Sequence, residues 1–325
     1  MKACVLHAVN DLRHEDVPAP ARKKGEVLVK IRASGICGSD VQRVFEKGTY
    51  HFPTIPGHEF SGDIIDADDA TMIGRKCTVF PLIPCRKCES CAAWRYAQCE
   101  DYNYFGSRCD GGFAEFISVP RWNVVLAPDS LSYDEIAMTE PCAVALHGVE
   151  QADISTGARV CVFGAGPIGL MAAKWAAIKG ASVISVIDVD EKKAAFAKEL
   201  GFGTAITGLY DAALECSGSS AGFESAVSVT KTFGTVVLVG NPTGDMTLSQ
   251  KTYWKVLREE LTLKGIWNSS YSPGQNNWKT ALELMHMLGL KDIISHRFGF
   301  HECNEAFSLM KDRGEFVSKV MFINA

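Results

Sequence analysis

Arg159-Val160-Cys161-Val162-Phe163 runs directly into Gly164-Ala165-Gly166-Pro167-Ile168-Gly169, and no other stretch restricts the fold as tightly. The apolar run has strand length, and residues 170–181, rich in Ala, Met and Lys with no breaker before Gly180, have the composition of a helix. Residues 182–187 form a second apolar run closing on Asp188, and residues 191–200 a second helical stretch ending at Gly201. Alternating strands and helices imply a parallel sheet covered on both faces. Residues 212–216, 235–239 and 261–266 supply further strands, and residues 278–290 another helix. Glycines spaced in this way allow a tight turn, close approach to a pyrophosphate and close helix–strand packing, while the helix N-terminus favours the negative charge. Asp188, about twenty residues past the glycines, is placed to bond ribose hydroxyls and repel a 2′-phosphate. Gly164, Gly166, Pro167, Ile168, Gly169, Asp188 and Lys193 are therefore expected to hold NAD rather than NADP. The bland alternative is a glycine turn with no cofactor.

One conflict stands inside this pattern. Residues 205–207 read as a third parallel strand and 211–216 as a fourth, with only Gly208, Leu209 and Tyr210 between them. A parallel crossover needs about a dozen residues, whereas three extended residues reach only about 10 Å. Either 205–207 is no strand or residues are missing from the sequence, and the second is the expectation.

The first 130 residues have another texture. Short strand-like runs at 2–6, 26–33, 60–66, 76–80, 112–119 and 123–126 are separated by Gly, Pro and Asp, as in a compact β-rich domain. A Ser132/Glu135 pair resembles a capping box and opens a helical stretch towards His147. Cys85, Cys88, Cys91 and Cys99 fall within fifteen residues, a closed thiolate shell suited to structural zinc. An iron–sulfur cluster and a nucleic-acid-binding zinc knuckle are the alternatives. Cys37, His58 and Glu59 are three further potential metal ligands set among glycines, although a buried thiol and a core histidine would look the same. Glu140, beside Pro141 at a helix start, reads equally as a favourable N-terminal charge.

A net charge of -5 with no long basic run argues against nucleic-acid or anionic-membrane partners. The apolar start is too short for a signal peptide and no later run is long enough to span a bilayer, so a cytoplasmic location is expected. There the twelve cysteines would be thiols or metal ligands rather than disulfides.

Residues 35–40, 57–59, 110–115 and 140–141, the cysteine quartet and the glycine loop together resemble the zinc-dependent medium-chain alcohol/polyol dehydrogenases over essentially the whole chain. The resemblance implies a GroES-like catalytic domain from residues 1–150 and 268–325, with a Rossmann NAD-binding domain at 151–267. It makes Cys37, His58 and a carboxylate the catalytic zinc site, with Glu59 or Glu140 acting as ligand or through water, and the cysteine quartet a second, structural zinc site. It also implies that zinc polarises a secondary hydroxyl, that hydride passes to NAD, and that Ser39 hands the proton onward. Gln42 stands where a histidine often completes that relay and cannot titrate near neutrality, which leaves Glu140 and water as the exit. Residues 66–75 look short for the family. The implied substrate is a polyol or polyol phosphate, galactitol 1-phosphate first, with sorbitol, xylitol or L-threonine as alternatives. Arg43 and Arg108 are the candidate cations for a phosphate, each readable also as an ordinary surface or ion-pair arginine. The family forms dimers or tetramers, commonly through the last Rossmann strand, so a homo-oligomer is expected. From a different class, a non-catalytic zinc- and dinucleotide-binding regulatory module would carry the same motifs.

Overall fold

The computed structural model describes residues 1–242, 244–312 and 314–324. It divides into two compact units, residues 1–140 with 270–325, and residues 141–269.

In the first unit the strand Glu26–Ile36 is the spine. Its alternation buries Val27, Val29 and Ile31 on one face. On one side it pairs antiparallel with Glu59–Ala67; on the other it meets Phe116–Pro120 along its first half and Lys319–Ile323 along its second. Lys76–Val79, Val124–Leu126 and Ile294–Phe298 extend this sheet to its edges. Phe60, Phe113, Phe307 and Phe322 are buried in the core beneath it. A separate short pair, Leu82–Ile83 with Asn103–Tyr104, brackets the loop that carries the cysteine quartet. The β-rich character expected of this region is present. The capping pair forms as well, with the Ser132 N–H donating to Glu135 Oε2 at 3.0 Å ahead of the helix Tyr133–Ala137.

In the second unit five parallel strands run in the order Val183–Ile187, Arg159–Phe163, Tyr210–Glu215, Thr230–Leu238, Thr262–Gly265. Helices Pro167–Ile178, Glu191–Glu199, Ser220–Val229 and Gln250–Arg258 alternate with them. The α/β fold with a parallel dinucleotide-type sheet is as expected. One strand is not. Residues 205–207 form no strand, and the only described pairing outside Val183–Ile187 is a single bridge from Ser185 to Gly203. The reason is reach, because three residues cannot carry the chain back across a layer. The short return is pinned instead by Arg159, whose Nη2 donates to Thr207 O at 2.8 Å and whose Nε donates to Leu209 O at 3.0 Å. Tyr210 Oη accepts the Thr207 N–H at 3.1 Å and donates to Ser185 Oγ at 2.8 Å. Among the described residues no helix is long and apolar enough to cross a membrane.

Candidate functional site

Cys37 closes the extended segment after the spine strand and precedes a one-turn helix, Gly38–Gln42. His58 and Glu59 stand at the start of the neighbouring strand. This pairing brings one ligand atom from each of Cys37, His58 and Glu59 within 4.8 Å of one another. Glu140 is not part of that set. It lies in the first turn of the helix Thr139–Gln151, where its Oε1 accepts the Tyr104 hydroxyl at 3.4 Å.

The surrounding groups fix these side chains in place. Asp40, fully buried, accepts the Cys37 N–H at 3.1 Å and sits 3.3 Å from His58 Nδ1. That approach is close enough for attraction but lacks hydrogen-bond alignment, so His58 Nδ1 has no hydrogen-bonded partner. With Nδ1 turned to a carboxylate, Nε2 is the ring nitrogen left for a metal. Burial opposes ionisation of both groups, yet their mutual attraction wins: Asp40 is held below the usual carboxylate range and His58 well above the usual imidazole range. Arg43 Nη1 donates to Asp40 Oδ1 at 2.8 Å and to Ser39 Oγ at 3.0 Å. Arg43 is therefore engaged in orienting the Cys37–Asp40 turn. Gln42 points elsewhere, accepting from Lys47 Nζ at 3.0 Å.

Glu59 has an unexpected neighbour. Lys319, from the strand on the far side of the spine, donates to Glu59 Oε2 and to Ile36 O, the latter at 3.1 Å. Gly35 lies between them, paired with Glu59 on one side and Met321 on the other. A Cβ there would come 2.3 Å from Glu59 Oε2 and 2.8 Å from Lys319 Cε, so the ion pair crosses the strand only because that position is glycine. Burial alone would lower the Lys319 ammonium, but Glu59 and Cys37 raise it, so it stays charged. Glu140 is pushed up to about 7 by burial, against the pull of His58.

The donor set of thiol, imidazole and carboxylate suits zinc, and the buried Asp40 carboxylate 3.3 Å from the unpartnered His58 Nδ1 leaves Nε2 for the metal. These residues fit the metal. The quartet fits too: Cys85 and Cys91 sulfurs are 4.0 Å apart and those of Cys88 and Cys99 3.9 Å apart. Tetrahedral zinc with thiolates needs about 3.8 Å. Backbone N–H groups of Glu100 and Cys91 lower the Cys88 thiol to about 6, which favours the thiolate a metal requires.

In the second unit Gly166 caps the helix Pro167–Ile178, with Pro167 at its first turn. A Cβ on Gly169 would sit 1.9 Å from Gly164 O, whereas one on Gly166 would meet nothing within 4 Å. Gly169 serves packing; Gly166 leaves an open cradle before a helix N-terminus, which fits a pyrophosphate. Ala165 N–H donates to Asp188 Oδ2 at 2.7 Å and Asp190 N–H to Asp188 Oδ1 at 2.9 Å, fixing this carboxylate at the strand end. Ile168 is half-buried in the same turn, and Lys193, half-buried too, lies in the next helix with its N–H on Asp190 Oδ1.

Lys319 and Tyr104 carry no sequence expectation, and Asp40 enters there only as part of residues 35–40, with no role of its own. A lone lysine at the head of the apolar run Val320-Met321-Phe322-Ile323 is a signal that could have flagged a buried cation; Tyr104 offers none.

This fold and these donor clusters define a zinc-binding alcohol dehydrogenase. The alcohol dehydrogenase GroES-like domain model matches residues 23–129 and the zinc-binding dehydrogenase model residues 167–287. The chain belongs to the zinc-containing medium-chain dehydrogenase family and is an oxidoreductase of CH–OH groups. It is 36% identical over 316 residues to galactitol 1-phosphate 5-dehydrogenase of Escherichia coli (strain K12), covering 90% of this chain and 91% of that protein. It is 33% identical over 267 residues to sorbitol dehydrogenase of Bacillus subtilis (strain 168), covering 74% and 75%. The crystal structure of galactitol-1-phosphate dehydrogenase from Escherichia coli matches with a TM-score of 0.92 at 34% identity, covering 100% of both chains.

Proposed function

We propose that this chain oxidises a secondary hydroxyl of a polyol or polyol phosphate, galactitol 1-phosphate first, to the ketose with NAD as acceptor. The observation that carries the reading is the convergence of Cys37, His58 and Glu59 to within 4.8 Å. When bound, zinc acts as a Lewis acid on the substrate hydroxyl and NAD accepts the hydride. Glu59 is the carboxylate for the metal, since it belongs to the cluster and Glu140 does not. Lys319 bonds only one oxygen of Glu59.

Ser39 handles the proton. Its Oγ accepts from Arg43, so its own hydrogen remains available to move onward. Gln42 takes no part, being held by Lys47. Glu140, raised to about 7, is matched to taking up a proton near neutral pH. The cysteine quartet holds a second, structural zinc. Asp188, anchored by two backbone donors, favours ribose hydroxyls over a 2′-phosphate and so NAD over NADP. The exposed edge strand Thr262–Gly265, with Leu263 and Trp267 open to solvent, supports self-association of two or more chains.

The test is NADH absorbance on mixing zinc-loaded protein and NAD with galactitol 1-phosphate, sorbitol, xylitol or L-threonine. Turnover with galactitol 1-phosphate above the others is expected; none with any of them overturns the reading. Preference for sorbitol would favour the second reading, which the 33% identity to a sorbitol dehydrogenase supports.

A further inference from the structure

We propose that a cavity of about 540 Å³ lined by Arg108, Lys87 and Asn103 is a phosphate-monoester subsite that receives the far end of the substrate. The proposal rests on the polyol phosphate reading above and names which residues would select for the phosphate.

Arg108 is prepared for an anion. Its guanidinium carbon sits over two rings, 4.2 Å from the centroid of Tyr50 and 4.4 Å from that of Tyr102. The two rings hold the guanidinium by cation–π attraction. Nη2 donates to the Tyr50 hydroxyl at 3.2 Å, and among the described residues Nε and Nη1 donate to no protein acceptor. A guanidinium held over two rings with donors unused suits phosphate, because little side-chain freedom is left to lose.

The charge in the cavity points the same way. Lys87 and Arg108 share it with one carboxylate, Asp101, and among the described residues neither cation forms an ion pair. Arg43, the other arginine expected at a phosphate, differs in this respect, with Nη1 donating to both Asp40 and Ser39.

The chain links the cavity to the metal cluster. Tyr102 and Asn103 line the cavity, while Tyr104, next in the chain, packs against His58. The Tyr104 ring lies 5.7 Å from that of His58 and its hydroxyl bonds Glu140. Two residues of extended chain span about 7 Å. In a hexitol 1-phosphate the fifth carbon and the phosphorus are separated by roughly 7–8 Å. On this proposal a substrate oxidised beside His58 extends its phosphate towards Arg108.

The experiment compares the parent with Arg108→Gln and Arg108→Lys, each checked for unchanged circular dichroism and zinc content. The ratio of kcat/KM for galactitol 1-phosphate to kcat/KM for galactitol should fall about 10–100-fold in Arg108→Gln, through KM rather than kcat. Arg108→Lys should fall between. Inorganic phosphate should compete with the phosphorylated substrate in the parent and lose that effect in Arg108→Gln. An unchanged ratio, or no competition in the parent, overturns the subsite while leaving the oxidation reading intact. If the parent oxidises no polyol, the oxidation reading fails, and calorimetric titration with inorganic phosphate decides the subsite alone. Binding to the parent that Arg108→Gln abolishes supports it, and no binding, or equal binding to both, overturns it.

Discussion

Replacing Lys319 by methionine would separate the two cations that can satisfy Glu59. Both side chains of this pair are only 2% exposed, so the substitution leaves a buried carboxylate with no protein cation. Ile36 O loses a donor at the same time. Removing one partner of a buried pair costs about 3–5 kcal/mol. For a domain of this size that lowers the midpoint by roughly 6–20 °C. Zinc held by Cys37, His58 and Glu59 would return a positive charge to the same carboxylate. Calorimetric melts of metal-free and zinc-loaded protein should therefore show a large loss in the metal-free variant and a greater zinc-induced recovery than in the parent. Any metal at the cysteine quartet is common to both proteins, so the difference reports on Glu59. Equal midpoints in the metal-free proteins, or equal zinc-induced gains, would refute the idea that Lys319 and the metal share Glu59.

Cys37→Ala should remove turnover and one zinc per chain while the circular dichroism is kept, whereas Cys88→Ala should lower the melting midpoint first; full activity in Cys37→Ala would contradict the ligand assignment. Asp188→Asn removes the charge that opposes a 2′-phosphate, so the preference for NAD over NADP measured by kcat/KM should fall about tenfold or more; an unchanged ratio would count against Asp188 as the selector. Asp134 is partly buried, which resists ionisation, but its bonds to Ser132 and Arg297 hold its pKa below the usual value. A depressed carboxylate contributes stability above its unfolded pKa of about 3.9 and loses it as pH falls through the folded value. Asp134→Asn should therefore flatten the acid limb of a stability–pH curve below about pH 4, and an identical limb would exclude that contribution.

What could be read from the chain followed sequence distance. The strand–turn–helix of the glycine loop and the convergence of the cysteine quartet are local patterns set by spacing over a few residues, so both were legible in the chain. The Lys319–Glu59 pair joins positions 260 residues apart and depends on which strands flank Gly35, which no local pattern reveals. The same holds for Tyr104 against Glu140, and for Asp40, whose place in Gly38-Ser39-Asp40 gave no hint that it would face His58. Residues 205–207 carried a strand-like composition, and chain reach overrode it. Helix Ser220–Val229, capped by Ser219, is built of small residues that give little periodic contrast, whereas Gln250–Arg258, capped by Ser249, is strongly amphipathic and its periodicity is legible in the chain.

Hydride transfer itself can be followed with galactitol 1-phosphate deuterated at the carbon to be oxidised, incubated with zinc-loaded protein and NAD. Mass spectrometry should find one deuterium on the NADH produced, with label transfer abolished by Cys37→Ala. Unlabelled NADH, or deuterium released to water, would contradict oxidation of a secondary hydroxyl by direct hydride transfer at the Cys37–His58–Glu59 site.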